Sequence, residues 1–353
     1  MSDFLSKLAD SYFEYLARCF PVMCASDEFH FLPRAQAAAK YYDRLDNLDP
    51  QVIEAIIAKL KAFRDKFTGL TGRIDNLESR IDLELLQANI AGILIELEQK
   101  QSWQYNPLLY LKIAFIGLDH ALNKPVGSRE ACNDRVLSRL AAIPGLLRQA
   151  AANINSVPQS YYQASRAMLA DCLQYLDQIG SDLPVGISGK TAHKLLMHLN
   201  GAVAALKTLG DYLSSVSVKP DGRFATATLD ETLRNHFLNR RKVDDIYLLA
   251  VEDWQKNLGQ LEKLQKKIDP TATWQTLYHN YLPFEIDDDD TMSLYMREIG
   301  RLRQFFRQLG FSPSELNRPV EVAETPLYLK SVRGAASFAA AFTADEQEKS
   351  FFI

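Results

Sequence analysis

Four groupings of residues have types and spacings that could do chemistry. Gly189-Lys190-Thr191 has the ending of a phosphate-binding loop, in which backbone N–H groups cradle phosphates and the lysine reaches them. That motif also needs a glycine five positions before Gly189, where this chain has Pro184, and a buried strand leading in. Leu173 to Ile179 instead ends a helical pattern, so the stretch reads as a loop with an N-cap at Ser188. His193 and His198 follow on one predicted helix, five residues apart and about 140° apart around its axis. They cannot share a metal as an i, i+4 pair does, and His30, His120, His236 and His279 are isolated in sequence. Asp287 to Asp290 lack the alternating ligand spacing of a calcium loop and read as negative charge at a helix start, where the helix dipole favours it. Cys19 and Cys24, with Cys132 and Cys172 far off, read as small buried hydrophobes in a reducing compartment. No residues have the nucleophile-and-base spacing of a self-sufficient enzyme.

The elements that must position these residues are almost all helices. Apolar residues recur at three- and four-residue steps from about Asp3 to Phe20, then over roughly Ala35 to Asp43. Asp49-Pro50 is an N-cap followed by proline at the first helical position, and Val52, Ile53, Ile56, Ile57, Leu60 and Phe63 form the stripe behind it. Asp75-Asn-Leu-Glu78 has the form of a capping box ahead of a helix reaching about Gln99. Asn106-Pro107 and Gly127-Ser128 open two more, the second with a kink or break expected at Pro144. Helices follow over Tyr161–Ile179, Ser188–Ser214, Leu229–Leu238, Asp244–Ile268, Trp274–Tyr281 and Asp290–Leu309, with a turn at Lys219-Pro-Asp-Gly222. The aromatics Trp103, Tyr105, Tyr110, Trp254, Trp274, Tyr278 and Tyr281 read as core by default, with a few available to line a groove.

From Pro319 the texture changes. Val320 and Val322 alternate with Glu321, small and aromatic residues replace helix formers, and Phe351-Phe352-Ile353 calls for either a partner strand or a continuation. The expected fold is therefore mainly α: a large bundle of about ten helices in a domain over 1–318, with a few β-strands in a segment over 319–353 that starts an incomplete second subdomain.

Composition narrows the partners. The 353 residues are 47% hydrophobic and 24% charged, the soluble globular range. A net charge of −4 argues against nucleic acid, and Arg240-Arg241-Lys242 and Lys266-Lys267 read as solvated helix faces. The N-terminal residues lack the pattern of a signal peptide, and no apolar run approaches the roughly 18 residues of a membrane helix. A cytoplasmic protein binding neither nucleic acid nor membrane is expected.

Five stretches then carry a family resemblance. Trp103-Gln-Tyr-Asn-Pro-Leu-Leu-Tyr110, Ile143-Pro-Gly-Leu-Leu147, Ala152-Asn153-Ile154, the span from Ala250 to Trp274 and Glu324-Thr-Pro-Leu-Tyr-Leu329 together resemble the bacterial domain-of-unknown-function family 885. The resemblance implies a mostly helical, zincin-like metallohydrolase, a peptidase or related enzyme. Its metal-binding helix, led by a His-Glu pair, lies C-terminal to the Glu-Thr-Pro region, so only the family's N-terminal part is matched. It implies no metal or other cofactor in this chain alone, and zinc once a missing C-terminal part is supplied. It also implies a strand over Thr325–Leu329 bordering a cleft for a peptide-like substrate, with Tyr328, Lys330 and Arg333 as substrate-contact candidates. The expected partner is a second chain carrying the metal site, or a second copy joined through the C-terminal strands. The competing expectation is a non-catalytic helical binding or scaffold protein that kept the bundle and lost the enzyme.

Overall fold

The computed structural model describes residues 2–124, 127–182, 189–222, 226–281, 291–312, 320–334, 338–339 and 350–352. Mainly α, with few strands, the chain divides into two compact units. The first joins 1–224 to 319–353, and the second is 225–318. Residues 319–353 thus belong with the N-terminal helices, and the expected helical domain over 1–318 is divided after 224.

In the first unit α1 (Ser2–Cys19) buries Leu5, Leu8, Tyr12 and Leu16. The expected helix over Ala35–Asp43 is a shorter 3₁₀ segment, Gln36–Tyr41. At α2 (Pro50–Thr68) the Asp49 carboxylate accepts from the Gln51 N–H, as the Asp-Pro signal requires. At α3 (Leu77–Leu94) the cap is one residue later than expected: Asn76, not Asp75, accepts from the Ser79 N–H at 2.8 Å. A π-helical turn, Ile95–Lys100, continues it to a left-handed Gln101. The helix α4 (Pro107–Asn123) is buried on most of its circumference and lies at the centre, against α5 (Arg129–Asn153) and α6 (Gln159–Asp182). Pro144 does not divide α5, which runs unbroken past it. The last long helix of the unit, α7 (Gly189–Ser215), packs on α5 and α6.

Two small sheets complete this unit. Strands β1 (Ser156–Pro158) and β2 (Ser217–Lys219) pair in parallel and tie the start of α6 to the end of α7. The sequence reading missed them because three-residue strands between long helices leave no period to see. Farther on, β3 (Val320–Val322), β4 (Phe338–Ala339) and β5 (Ser350–Phe352) form a sheet in the order β3-β5-β4. Phe351 and Phe352 therefore find partners within the chain, parallel to Glu321 and Val322 and antiparallel to Ala339 and Phe338.

Two of the family-like stretches, Trp103–Tyr110 and Ala152–Ile154, meet inside this core. The Tyr110 hydroxyl donates to the Trp103 carbonyl at 2.6 Å, and the Asn153 amide donates both to that hydroxyl and to the Leu48 carbonyl at 2.8 Å. All three side chains are buried, so these residues lock the 3₁₀ turn over Ser102–Gln104, α4 and α5 together.

The second unit holds α8 (Thr226–Glu231), a π-helical turn over Thr232–His236, α9 (Val243–Ile268), α10 (Trp274–Asn280) and α11 (Thr291–Gln308). Gly310, at φ +92, ends the last of them in the left-handed region that glycine adopts without strain. No residue of α9 is buried. Trp254, Tyr278 and Tyr281 are exposed, against the core packing expected of them, because nothing described in this unit covers them. Asp287–Asp290 and Ser188 lie outside the described residues.

Candidate functional site

The segment after β3 docks on α4 and α6 and holds the three residues singled out from sequence. Pro326, with φ fixed near −51°, turns the chain into a 3₁₀ turn over Leu327–Leu329. The expected strand over Thr325–Leu329 is thus a turn, because two consecutive residues, Tyr328 and Leu329, face the core, which an alternating strand cannot do. Tyr328 is 2% exposed, its ring 5.1 Å from that of Tyr175 and 6.1 Å from that of Phe115. Burial raises its pKa well above the ordinary phenol value. Lys330 is exposed, and the Ser331 N–H donates to the Asp171 carboxylate at 2.8 Å.

Arg333 closes the segment onto the N-terminal loop. Its Nη2 donates to Glu28 Oε1, and Lys112 Nζ donates to Glu28 Oε2 at 2.9 Å. Burial works to raise the Glu28 pKa, but Lys112 and Arg333 together outweigh it and hold the carboxyl below its ordinary value. Beside Tyr175 the Asp119 carboxylate accepts from Asn123 at 2.8 Å. Burial pushes its pKa up to about 6, against the hydrogen bonds from Asn123 and Tyr175 that pull it down. A carboxyl in that range suits general acid-base work. Packed against two tyrosines, it here serves to seat Tyr175 under Tyr328. Chemically the site is an anchor: both Glu28 oxygens are spent on cations, and the aromatic stack is closed.

A second buried polar cluster supports α4 from the other side. Arg139, wholly buried, donates to the Gly117 carbonyl and, at 3.4 Å, to that of Tyr41. A Cβ on Gly117 would lie 2.6 Å from Leu45 Cδ2 and 3.0 Å from Val22 Cγ2, so the bare backbone is what lets these chains close over it. Asp46 faces this guanidinium and accepts from the N–H groups of Val22 and Met23 at 2.9 and 3.2 Å. Burial pushes its pKa up to about 7, while the two N–H groups and Arg139 pull it down.

The six histidines do not fit a zinc site. His120 is buried against Tyr42, with its Nδ1 unpartnered. Its pKa is pushed well below the ordinary value, first by burial and then by the charges of Arg139, Lys124 and Arg34, which would repel a metal ion too. His193 and His198 share α7 at the spacing that keeps them apart. Among the described residues no three His, Cys, Asp or Glu side chains are grouped so as to hold a metal. Two surface grooves of about 580 and 570 Å³ lie elsewhere. The first runs between α1 and α3 past Phe13, Leu86 and Asn89, the second past Tyr15, Asp49 and Gln149.

Sequence reasoning missed Glu28, Lys112, Asp119, Asp46 and Arg139. Only Arg139 left a signal, as a cation within the apolar stripe Val136, Leu140, Ile143 and Leu147.

A helical bundle carrying a small C-terminal sheet on a buried anchor is the class of protein this fold defines. Residues 33–353 match the family described as bacterial protein of unknown function, DUF885, and the chain belongs to that family. Its fold is similar to that of a protein of unknown function from Shewanella oneidensis provisionally named a lipoprotein. The TM-score is 0.66 at 16% identity, over 99% of this chain and 64% of that one. About a third of the Shewanella protein thus lies outside the match. No protein with a curated description matches this chain.

Proposed function

We propose that this chain is the N-terminal helical half of a zincin-like metallohydrolase of the peptidase type, cytoplasmic, and catalytically complete only when further polypeptide supplies the metal-binding helix. The observation that carries the reading is the β3-β5-β4 sheet, fixed by Tyr328, Ser331 and Arg333 to a rigid bundle within a fold whose longer relative has more chain. An anchored sheet with edge strands is what an extended peptide substrate pairs with. Exposed Lys330 is the contact residue toward that substrate, while Tyr328 and Arg333 act by holding the segment in place. Zinc, when bound, would hold a water and lower its pKa toward neutrality. The described residues of this chain do not fit that ion and contribute position only.

The test is native mass and zinc content of the protein purified from its own host through an N-terminal tag. A species above 39.9 kDa holding about one zinc and cleaving peptides supports the reading. A metal-free species of this polypeptide alone overturns it in favour of a non-catalytic scaffold. That second reading is favoured by one feature, the continuous buried core of the first unit from Leu5 to Leu329.

A further inference from the structure

Two helices of the second unit repeat a pattern that the first unit buries. On α7, Leu195, Leu199, Ala202, Leu206, Leu209 and Leu213 recur at alternating four- and three-residue steps, and all six are buried. On α9, Tyr247, Val251, Trp254, Leu258, Leu261 and Ile268 follow the same 3.5-residue period and none is buried; Trp254 is 68% and Ile268 71% exposed. Gln265, the polar member of the series, spends its amide on the carbonyls of Asp269 and Ala272 beyond the helix end. On and just past α11, Met292, Tyr295, Ile299, Leu302, Phe306 and Leu309 repeat the period, and none is buried. Apolar residues at this period fit a facing helix, whose own side chains fill the holes between them.

The size of the two faces also points to a macromolecular interface. At about 1.5 Å per residue, helices of 26 and 18 residues are roughly 39 and 27 Å long. Stripes about 10 Å wide then expose roughly 390 Å² on α9 and 270 Å² on α11. The α9 stripe alone falls within the ~300–600 Å² of the largest patch on a typical monomer, which is often functional, and is about half of the ~800 Å² each partner buries in a standard stable interface.

Resting on the reading above, we propose that these faces of α9 and α11 are the seat of the polypeptide that completes the fold, docked helix against helix. The argument for this occupant is length. The match covers 99% of this chain but leaves about a third of the Shewanella protein unmatched, a length of chain ample to cover two helix faces.

The experiment places p-benzoylphenylalanine, a photoactivatable side chain, at Trp254 or at Phe306 in the tagged protein in its own host. After irradiation the adducts are identified by mass spectrometry. The proposal expects adducts with sequence from the remaining part of the same family's fold, either farther along the same polypeptide or on a second one; which of the two is read from the mass of the product. Adducts between two copies of this chain, within residues 1–353, with an unrelated protein, or none at all would each overturn it. A Trp254→Glu, Leu261→Glu double variant should fold with an unchanged urea midpoint, since α9 buries nothing, and lose the completing polypeptide about tenfold or more on purification. Retention of that polypeptide at wild-type yield would count against the site. The two readings fail separately: a zinc-free, inactive complex with the expected adducts defeats only the hydrolase, and an active zinc complex without them defeats only the docking face.

Discussion

Replacing Arg139 with methionine tests the buried polar cluster beneath α4. The guanidinium is wholly buried, donates to two carbonyls and is the cation that faces Asp46. Methionine keeps much of the volume and removes the charge. Losing the guanidinium leaves two carbonyls without their donor, at about 1–3 kcal/mol each, and removes the nearby positive charge that lowers the Asp46 pKa. The loss must also depend on pH. Asp46 titrates at about 7 in the folded protein and at the ordinary 3.8 when unfolded, so between these values the folded state holds the extra proton. Its contribution is complete below the unfolded value and is lost as pH rises through 7, by about 4 kcal/mol in all. Without Arg139 the Asp46 pKa rises further, and the penalty keeps growing above pH 7. Urea unfolding of Arg139→Met should therefore show a destabilisation at about pH 8.5 exceeding that at about pH 6 by ~1.4 kcal/mol or more, one pKa unit's worth. Asp46→Asn in the same background should abolish the difference. A destabilisation below about 1 kcal/mol at both pH values, or an equal one at both, would refute the coupling.

Three further outcomes follow from the anchor and the caps. Tyr328→Ala should cost about 3–5 kcal/mol and speed tryptic cleavage after Lys330 and Arg333, while Tyr328→Phe, which keeps the ring stack, should stay within ~1.5 kcal/mol. Because the Glu28 pKa is held below its ordinary value, its contribution is present above that value and is lost as pH falls through the folded one. Glu28→Gln should remove that part of the acid unfolding limb and cost about 1–3 kcal/mol at neutral pH, read by chemical denaturation. Asp49→Ala deletes the α2 cap and should lower stability by about 1 kcal/mol, seen as a lower urea midpoint at unchanged slope.

The helices were legible because long stripes and caps are local. Asp49-Pro50, Asn106-Pro107 and Ser128 start helices where their chemistry says they must. The change of texture at Pro319 also marked real strands at Val320 and Phe351. What could not be read was set by distant partners. Glu28 and Arg333 stand 305 residues apart, and Asn153 reaches Leu48 across 105. Tyr328 is a cleft residue only on the strand that the family resemblance implies over Thr325–Leu329. Pro326 and the apolar surface of α6 decide its geometry instead, and no local pattern reports them. The anchor's acids were invisible for a plainer reason: single charges on amphipathic helices look like solvated faces until burial is known.

The division of the chain also sets an order of assembly. The first unit is left at Phe224 and rejoined at Pro319, with 94 residues of the second unit between. At about 5–20 residues per second, a ribosome spends roughly 5–19 s on that insertion. Through that interval Tyr175 and Phe115 have no Tyr328 to cover them, and Glu28 has only Lys112. The central strand of the sheet, Ser350–Phe352, is made after both strands it must lie between. The nascent protein therefore emerges with an open seam on α4 and α6, closed only after the second unit has been made. That seam is where a chaperone would find exposed apolar surface, and where slowed translation would prolong the risk of aggregation.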